Sequence, residues 1–454
     1  MFADLAAIIV AVLAALGILW ATGGHIAPSA YLRLVPSLAL FPLVLGALGL
    51  YPGVLLPPPE EIKKLCWGIS LVFLAFGALT FVSREGHLYS RAVFLESWLL
   101  SMILAPLGRA AMRSLLVSKR WWGYPMVVFG ADGAARILLN TLRLKPGIGL
   151  RPLAVHPCLD EAQGEEDIEG VPVVRDLDDA LALGQGEHSH AAVSGACLQS
   201  AGNRELLDHL ARSFKHVLIL PVSVGRASLW TTALDVGGLP GLLVRHNLLD
   251  CRRLAMKRFL DLALTLAGGI VVLPLCLVIA ALIRLESKGP ALFRQRRIGL
   301  NGKTFHVWKF RTMVPDAEKI LDEHLARDPE LKREWDSCQK LRRDPRVTRV
   351  GRFLRCTSLD ELPQLFNVLR GDLSLVGPRP IIESEVDRYR ESFAQYTRVR
   401  PGITGLWQIS GRNLVSYDKR IDLDTYYINN WSVWFDIYIL AKTIPVVLTR
   451  HGAC

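Results

Sequence analysis

The clearest chemical potential in the sequence lies in two adjacent carboxylates, Asp360 and Glu361, which are followed by Pro363. Proline is tolerated in the first turn of a helix, so a helix through Gln364 should begin near Asp360. Free backbone N–H groups at a helix N-terminus favour negative charge. We therefore expect an ionised pair that can serve as a nucleophile or as a metal ligand.

The same residues allow two other interpretations. Ser358 and Glu361 match a capping box, S-x-x-E, which would start the helix earlier and place Pro363 inside it. We give the proline more weight than the capping box. Taken alone, the carboxylate pair is also typical of ordinary helix capping, so the surrounding residues have to decide its role.

The residues around the pair are strongly cationic. The arginines on either side of it are Arg343, Arg346, Arg349, Arg352, Arg355, Arg370 and Arg379. Guanidinium groups bind phosphate oxygens through two hydrogen bonds at a time, so this density predicts an anionic partner. Arg379 stands between Pro378 and Pro380, two stiff residues that would fix its direction. A solvated helix face or contact with lipid headgroups would account for some of the other arginines.

Two glycine-containing stretches are candidates for nucleotide contacts. Residues 402–413 combine glycine with polar side chains, although turns use glycine equally. The turn Gly130-Ala131-Asp132-Gly133 follows a β-rich run, as a dinucleotide-binding turn does, but it lacks the full G-x-G-x-x-G pattern. Asp132 would also lie close to an anionic pyrophosphate. We therefore expect a Rossmann-like fold without a redox cofactor in this region.

The composition indicates a membrane protein. The 454 residues are 51% hydrophobic with a mean hydropathy of +0.29. The net charge of +11 suits anionic lipid, phosphorylated substrates or nucleic acid, and a positive-inside bias explains it most simply. Eight cysteines are scattered without a Cys-x-x-Cys pair or zinc-ligand spacing. They predict reduced thiols without a special role.

Four apolar runs open the chain, each near the ~20 residues that cross a bilayer. They are Leu5–Ala21, Leu34–Leu56, Leu65–Val82 and Ala92–Leu107. A basic cluster follows at Arg109, Arg113, Lys119 and Arg120. The positive-inside rule places such a cluster in the cytoplasm, so four crossings would put both ends of this bundle, residues 1–120, on the cytoplasmic side.

A later apolar run, Phe259–Ile283, is also long enough to cross a membrane. Pro274 lies in its middle, where it bends or breaks a helix. Both flanks are basic, with Lys257 before the run and Lys288 after it. A re-entrant hairpin around residues 257–285 keeps both flanks in the cytoplasm, and a fifth crossing is the alternative. The aromatic residues 426–438 predict an interfacial helix, with core packing as the alternative.

Residues 121–250 are predicted to form a soluble α/β domain. Short β-rich runs (Met126–Phe129, Ala191–Ser194, Val217–Val222) alternate with helical stretches such as Arg204–Phe214. The predicted fold class is thus membrane α plus α/β. An N-terminal four-helix transmembrane bundle precedes a Rossmann-like middle domain, and residues 251–454 form a mostly helical catalytic domain with the re-entrant helix.

Several motifs in the C-terminal part together resemble one known family. They are Lys257-Arg258-x-x-Asp261, Phe293-Arg294-Gln295-x-Arg297-x-Gly299, Trp308–Met313, Ser358–Gln364 and Val376–Pro380, together with the break at Pro274. In this order they are similar to the bacterial polyprenyl-phosphate hexose-1-phosphate transferases, over about Arg252 to Cys454. The four-helix start and the Rossmann-like middle resemble the large members of that family, which prime O-antigen and exopolysaccharide synthesis.

The resemblance implies a two-step reaction. Asp360 is expected to attack the β-phosphorus of a UDP-hexose, most closely UDP-galactose, and to release UMP. Undecaprenyl phosphate would then take the hexose phosphate from Asp360. Mg²⁺ held by Asp360 and Glu361 would neutralise charge, and Glu361 would help to orient Asp360. The expected phosphate-binding residues are Arg355, Arg379, Lys309 and Arg311.

The resemblance also implies the partners and the location. The expected partners are a UDP-hexose, undecaprenyl phosphate, membrane lipids and a second copy of the chain in a homodimer. No nucleic-acid partner is expected. The expected location is the bacterial inner membrane, as a multi-pass protein with its soluble domains on the cytoplasmic side.

Three alternatives remain open from the sequence. The donor sugar would be glucose in the first, because no residue identifies the hydroxyl at C4. The second is a polytopic prenyl-sugar transferase, which the position of Asp178-Asp179 in the soluble middle region disfavours. The third is a non-catalytic, membrane-anchored nucleotide-sensing scaffold built on the Gly130 turn, for which Asp360 would be dispensable.

Overall fold

The computed structural model of the 454-residue chain forms two compact units, Met1–Gly225 and Arg226–Cys454. The structure describes all residues except 24–30, 32, 52, 54, 85–88, 120–121, 159–163, 184–188, 200–205, 221–230, 237–238, 245–246, 328–331, 333–343, 413–414 and 449–454. Arg120, Arg343 and the C-terminal end of the family resemblance lie outside the described residues.

Four apolar helical segments lie near the N-terminus, as predicted. They are α1 (Phe2–Ala21), α2 (Leu40–Ala47), α3 (Pro58–Val82) and α4 (Arg91–Leu116). Helices α1, α3 and α4 are long and apolar enough to cross a membrane.

The second segment is shorter than the sequence predicted. With the 3₁₀ turn that precedes α2 it covers Val35–Ala47, about 20 Å of helix at about 1.5 Å per residue. The helix ends because the chain turns at Gly49, whose φ of +71° is left-handed.

Buried charges pair with one another among these helices. Asp4 accepts hydrogen bonds from the Arg109 guanidinium at 2.6 and 2.7 Å and from the Tyr51 hydroxyl at 2.6 Å. Glu61 lies 3.0 Å from both Arg109 and Arg113. Two of the basic residues that indicated a cytoplasmic loop are therefore ion-paired within the helices, as charges in membrane segments usually are.

The middle region contains a four-stranded parallel sheet in the order β2-β1-β5-β6. Its strands are β1 (Tyr124–Phe129), β2 (Leu150–His156), β5 (His190–Ser194) and β6 (His216–Leu220), and two short strands, β3 (Asp167–Ile168) and β4 (Val171–Pro172), pair beside it. The three predicted strands are confirmed, and β2 is added to them. The helices of this region are α5 (Gly133–Leu144), α6 (Leu177–Ala182), α7 (Gly195–Gln199) and α8 (Leu206–Ser213).

Both faces of this sheet are buried. Along β1, Met126 and Val128 pack into one core cluster, whereas Val127 and Phe129 pack into the other. Alternate residues of a strand point to opposite faces, so helices cover the sheet on both sides. A parallel sheet covered in this way is the Rossmann-like arrangement that the sequence predicted.

A disulfide corrects the expectation about cysteines. Cys158, just after β2, is bonded to Cys197 in α7, with their Cα atoms 5.5 Å apart. The two residues are 39 positions apart in the chain, and they meet because β2 and β5 both flank β1 and end at the same edge of the sheet. Their spacing in the sequence carries no sign of this contact. These two thiols are therefore not free, contrary to the prediction.

The second unit begins with a hairpin, β7 (Thr231–Val236) and β8 (Leu239–Val244), and continues with the long helix α9 (Cys251–Glu286). A second hairpin follows, β9 (Leu292–Ile298) and β10 (Thr304–Phe310), and β11 (Ser374–Val376) pairs in parallel with β12 (Gly402–Thr404). The other helices are α10 (Ala317–Arg327), α11 (Arg349–Thr357), α12 (Gln364–Arg370), α13 (Val386–Tyr389), α14 (Phe393–Tyr396), α15 (Leu406–Ile409), α16 (Tyr417–Asn430) and α17 (Val433–Leu448). The unit is mostly helical, as predicted.

Helix α9 is one continuous helix, and Pro274 lies inside it. The chain is therefore not divided into two helices at this proline, and the re-entrant path stays a prediction that now requires a kink without a break. The apolar middle of the helix is exposed, with Ile270 78% and Val271 75% accessible. This surface makes α9 the fourth helix that is long and apolar enough for a membrane among the described residues.

The two ends of α9 are held by the same fold. Near its start, the buried Lys257 amino group lies 2.7 Å from Asp436 and 2.9 Å from the carbonyl oxygen of Val376. Near its end, the Glu286 carboxylate accepts hydrogen bonds from the first backbone N–H groups of α11, 2.7 Å from that of Arg349. The motif that begins at Lys257 thus attaches the membrane helix to the catalytic fold.

The aromatic C-terminal stretch belongs partly to the core. Trp431, Phe435 and Ile439 are buried together with Val376 and Tyr427 in one cluster. Core packing therefore explains these rings better than the interfacial helix that the sequence predicted.

Candidate active site

A short turn between two helices carries the carboxylate pair. Helix α11 starts with Thr348, whose hydroxyl accepts a hydrogen bond from the Gly351 N–H at 2.9 Å, and it ends at Ser358 in a left-handed conformation with φ of +57°. The 3₁₀ turn Leu359–Glu361 follows, and α12 begins after Pro363. The α-helix therefore begins after the proline, four residues later than the predicted start near Asp360, and Asp360 lies in the 3₁₀ turn before it. Among the hydrogen bonds that the structure describes, the Ser358 side chain caps neither helix, so the capping-box interpretation is wrong.

The environment of Asp360 corrects one expectation. Burial raises the pKa of Asp360 to about 6, with a further rise from Glu361, while Lys309 and Arg355 act in the opposite direction. The sequence predicts that a helix N-terminus favours the ionised form of Asp360. In the fold, the removal of this carboxyl from water has the larger effect on its pKa. The carboxylate still loses its proton below neutral pH, so it is mainly ionised and weakly solvated at pH 7, as suits a nucleophile.

Basic side chains approach the pair from two other elements. The Lys309 amino group, on β10, lies 2.7 Å from Glu361. Arg355, on α11, donates from Nε to the Thr312 hydroxyl at 2.9 Å, which fixes its guanidinium while its charge acts on Asp360. Strand and helix thus deliver cations to the turn from different directions.

A small open pocket of about 40 Å³ adjoins the turn, and polar side chains form much of its wall. The residues that define its chemistry are Arg297, Lys309, Glu361, Gln364, Arg379 and Trp407. The Arg379 guanidinium lies over the Trp407 ring, 5.0 Å from its centroid. Three cations and one carboxylate on this wall make the pocket a site for an anion rather than for a neutral ligand.

The predicted site residues fall into two groups. Lys309, Glu361 and Arg379 line one pocket, and Arg355 acts on the adjacent Asp360. Arg311 is engaged elsewhere, because its guanidinium donates to the carbonyl oxygens of Ser287 and Lys288 at 2.8 and 3.1 Å, just after α9 ends.

Three lining residues had no role assigned from the sequence. In the sequence, Arg297 belongs only to a family motif. In the fold, burial and the nearby Arg379 lower the pKa of its guanidinium, which indicates that positive charges are crowded there. Gln364 is buried in the first turn of α12 and contributes to the pocket wall. Trp407 belongs to the Gly-rich stretch that was considered for nucleotide contacts, and its ring is the platform for Arg379.

The glycine turn of the middle domain is a second candidate site, and its own carboxylate fills it. Asp132 accepts hydrogen bonds from the Ala135 N–H at 3.0 Å and from the Ser194 hydroxyl at 2.5 Å. A Cβ atom at Gly130 would lie 2.7 Å from the Ser194 Cβ, so the glycine is needed for close packing of β1 and β5. Asp132 thus takes the helix N-terminus where a Rossmann fold binds phosphate.

Comparisons with known proteins agree with the two-part organisation. Residues 252–450 match the family model described as "Bacterial sugar transferase", and residues 47–185 match one described as "CoA-binding domain". The chain is 37% identical to a UDP-galactose-lipid carrier transferase of Erwinia amylovora over 397 residues, which are 87% of this chain and 82% of the relative.

Two further relatives differ in the sugar that their names contain. An undecaprenyl-phosphate galactose phosphotransferase of Salmonella typhimurium is 36% identical over 85% of this chain and 80% of its own. A UDP-glucose:undecaprenyl-phosphate glucose-1-phosphate transferase of Escherichia coli is 33% identical over 77% and 75%, respectively.

Proposed function

Because the chain belongs to the bacterial sugar transferase family, in which its relatives transfer sugar phosphates to a lipid carrier, we propose that it transfers galactose-1-phosphate from UDP-galactose to undecaprenyl phosphate. Its class as a membrane enzyme that uses a UDP-sugar and a lipid carrier follows from the family. The galactose is supported by two relatives whose names contain galactose and which the chain covers over 82% and 80% of their length. Glucose is the alternative donor sugar, because a glucose-named relative is nearly as similar.

The observation that carries the proposal is a partly buried carboxylate, Asp360, beside a cation-lined pocket. In the first step an oxygen of Asp360 bonds to the β-phosphorus of the donor, and the bond from that phosphorus to the UMP oxygen breaks, so its electron pair leaves with UMP. In the second step a phosphate oxygen of undecaprenyl phosphate displaces the carboxylate. Lys309 and Arg379 line the pocket, so they could neutralise negative charge on the phosphates of the donor. The positive charge of Arg355 acts on the Asp360 carboxylate.

The carboxylate pair also fits Mg²⁺. The described residues contain no group of three or more side chains that would hold a metal by themselves. Mg²⁺ at phosphate sites commonly uses one or two carboxylates, with substrate oxygens and waters completing its shell, so Asp360 and Glu361 are sufficient donors. When bound, the ion would supply charge neutralisation at the donor phosphates. Lys309 already pairs with Glu361, so it would have to share that carboxylate with the ion.

The attachment of α9 supports a re-entrant path with both ends on the cytoplasmic side of a bacterial inner membrane. A straight helix would separate residues 258 and 286 by about 42 Å at about 1.5 Å per residue. Arg258 contacts carbonyl groups of α12, and Glu286 contacts the start of α11. Helix α12 has 7 residues and α11 has 9, and only a short segment separates them in the sequence. Both are much shorter than about 42 Å, so a kink at Pro274 would bring the two ends of α9 closer to them.

Cysteine labelling tests this path. Arg252→Cys and Lys288→Cys, made in a variant whose native cysteines are replaced, place exposed probes at the two ends of α9. We expect an impermeant reagent to label both residues in inverted membrane vesicles and neither in intact spheroplasts. Labelling of the two ends from opposite sides would establish a straight crossing instead.

Chemical cross-linking in the same vesicles would test the proposed homodimer.

A turnover assay tests the reaction. Purified protein in detergent receives Mg²⁺, undecaprenyl phosphate and either UDP-galactose or UDP-glucose, and UMP release is followed. We expect faster release from UDP-galactose and a loss of at least ~10³-fold in Asp360→Asn, since the nucleophile is removed. Asp387→Asn, the same change at an exposed carboxylate, is the matched control. Full activity of Asp360→Asn would refute the nucleophile, and preference for UDP-glucose would refute the assigned sugar.

A further inference from the structure

Unpaired buried polar atoms concentrate around Arg379. In the described part of the chain nine buried side-chain atoms have no hydrogen-bond partner, and four of them share this neighbourhood. They are Nε of Arg379, Nε of Arg420, the hydroxyl of Tyr417 and Oδ1 of Asp424. Such atoms are costly unless something absent from the protein chain satisfies them. Their concentration beside the pocket marks a place where the chain leaves its own polar groups unmatched.

Helix α16 places three of these side chains together. Tyr417, Arg420 and Asp424 follow one another at intervals of three and four residues, so they share one face of the helix. The Arg420 guanidinium lies 4.9 Å from the centroid of the Trp407 ring and 5.0 Å from that of Tyr417. Arg420 is thus held between two aromatic rings in a fixed orientation.

Trp407 connects Arg420 to the active site. The same indole ring lies 5.0 Å from the Arg379 guanidinium, and both Trp407 and Arg379 line the pocket beside Glu361. Two guanidinium groups therefore share one ring at the pocket wall. Arg297 adds a third positive charge close to Arg379.

This positive charge is only partly compensated. Within the described ranges no carboxylate lies within ion-pair distance of Arg420 or Arg379, although Arg420 influences Asp424 electrostatically. Asp424 is buried and accepts a hydrogen bond from the Tyr389 hydroxyl at 2.9 Å. Burial raises the pKa of the Asp424 carboxyl to about 7, which weakens it as a counter-ion.

We infer that Arg420 is a second phosphate-binding arginine of this site, acting beside Arg379 across the Trp407 ring. This inference rests on the proposed function, which brings a nucleotide phosphate and a lipid phosphate to the pocket. Either phosphate has the chemistry that the guanidinium requires. Cation–π packing explains the position of Arg420, but within the described residues neither guanidinium has a hydrogen-bond or ion-pair partner, so both charges remain available to an anion.

The test replaces Arg420 and leaves its neighbour as the control. Arg420→Gln keeps most of the stem and removes the charge, whereas Lys419→Gln makes the corresponding change at the adjacent exposed position. The KM for UDP-galactose, the KM for undecaprenyl phosphate and inhibition by UMP are measured for each. We expect one KM to rise about tenfold or more in Arg420→Gln and to stay unchanged in Lys419→Gln, because a hydrogen bond to a charged group is lost.

The pattern distinguishes the two sources of phosphate. A raised KM for UDP-galactose with weaker UMP inhibition identifies the nucleotide phosphate, and a raised KM for undecaprenyl phosphate alone identifies the lipid phosphate. If both KM values and UMP inhibition stay within twofold of wild type, the inference is wrong. It is also wrong if Lys419→Gln reproduces the change.

A second variant guards against loss of folding. Arg420→Lys keeps the positive charge but not the planar fork, and we expect an intermediate KM with an unchanged thermal unfolding midpoint. A lowered midpoint with unchanged KM values would show a purely structural role. The wild-type assay is scored first: no UMP release from any donor would reject the proposed function, whereas normal wild-type turnover with unaffected Arg420 variants would reject this inference alone.

Discussion

The glycine turn of the middle domain and the pocket beside Asp360 are both suited to phosphate by local structure, but they differ in how their charge is matched. At the turn, the Asp132 carboxylate accepts hydrogen bonds from the Ala135 N–H and the Ser194 hydroxyl. At the pocket wall Arg379, and behind the Trp407 ring Arg420, retain buried Nε atoms without a partner in the described part of the chain. The difference teaches that unmatched charge beside an open pocket is a better sign of a ligand site than a glycine-rich turn.

The same contrast predicts which substitutions affect stability and which affect activity. A charge that the chain satisfies internally contributes to the fold, so its removal should lower the free energy of unfolding. A charge left for a substrate should affect turnover with little change in stability.

The largest effect on stability is expected at the buried pair of Lys257 and Asp436, which are 2.7 Å apart. Lys257→Met leaves a buried carboxylate without its cation and should lower the free energy of unfolding by about 3–5 kcal/mol. Denaturation of the detergent-solubilised protein measures this loss. The double variant with Asp436→Leu should recover only part of the stability, because the buried Tyr427 hydroxyl and Trp431 N–H also donate to Asp436. A single variant as stable as wild type would contradict the role of the pair.

Arg379 should show the opposite behaviour. Arg379→Gln removes a pocket cation, and we expect kcat/KM to fall about 10²–10³-fold, as when a donor to developing charge is lost. The unfolding midpoint should stay close to that of wild type. Arg398→Gln, at an exposed arginine of the same unit, is the matched control. A large fall in the unfolding midpoint of Arg379→Gln, with kcat/KM retained, would show that the charge of Arg379 stabilises the fold and does not serve a substrate.

Asp424 should make stability depend on pH. Burial raises the pKa of its carboxyl from 3.8 to about 7, so the folded chain holds a proton that the unfolded chain releases. Its contribution to stability is full below about pH 4, falls as the pH rises to about 7 and is constant above. Compared with wild type, Asp424→Asn should lose less stability between pH 5 and pH 7.5, as measured by denaturation at each pH. Equal losses in both proteins would contradict the raised pKa.

The smallest effect is expected at the middle-domain turn. Asp132→Ala removes a helix cap and should lower the free energy of unfolding by about 1 kcal/mol, without a change in UMP release. Asp178→Ala, at an exposed acidic residue of the same domain, provides the comparison. A marked loss of UMP release in Asp132→Ala would show that the turn takes part in the reaction and would remove the contrast between the two regions.

Much of this protein was determined by the sequence through local patterns. Apolar length identified the membrane helices, and alternating β-rich and helical runs identified the parallel sheet. Pro363 indicated a helix at this position, although α12 starts four residues after the predicted Asp360. The arginine density around Asp360 and Glu361 pointed to an anionic substrate. These features depend on residues that are close in the chain, so their chemistry is visible before folding.

The tertiary structure alone decided which side chains serve which partner. It turned Arg311 towards the end of α9, bonded Cys158 to Cys197 and set Arg379 over Trp407. Each of these contacts joins elements that are distant in sequence. The raised pKa of Asp360 has the same origin, because burial is a property of the packed fold rather than of the helix terminus where the residue lies.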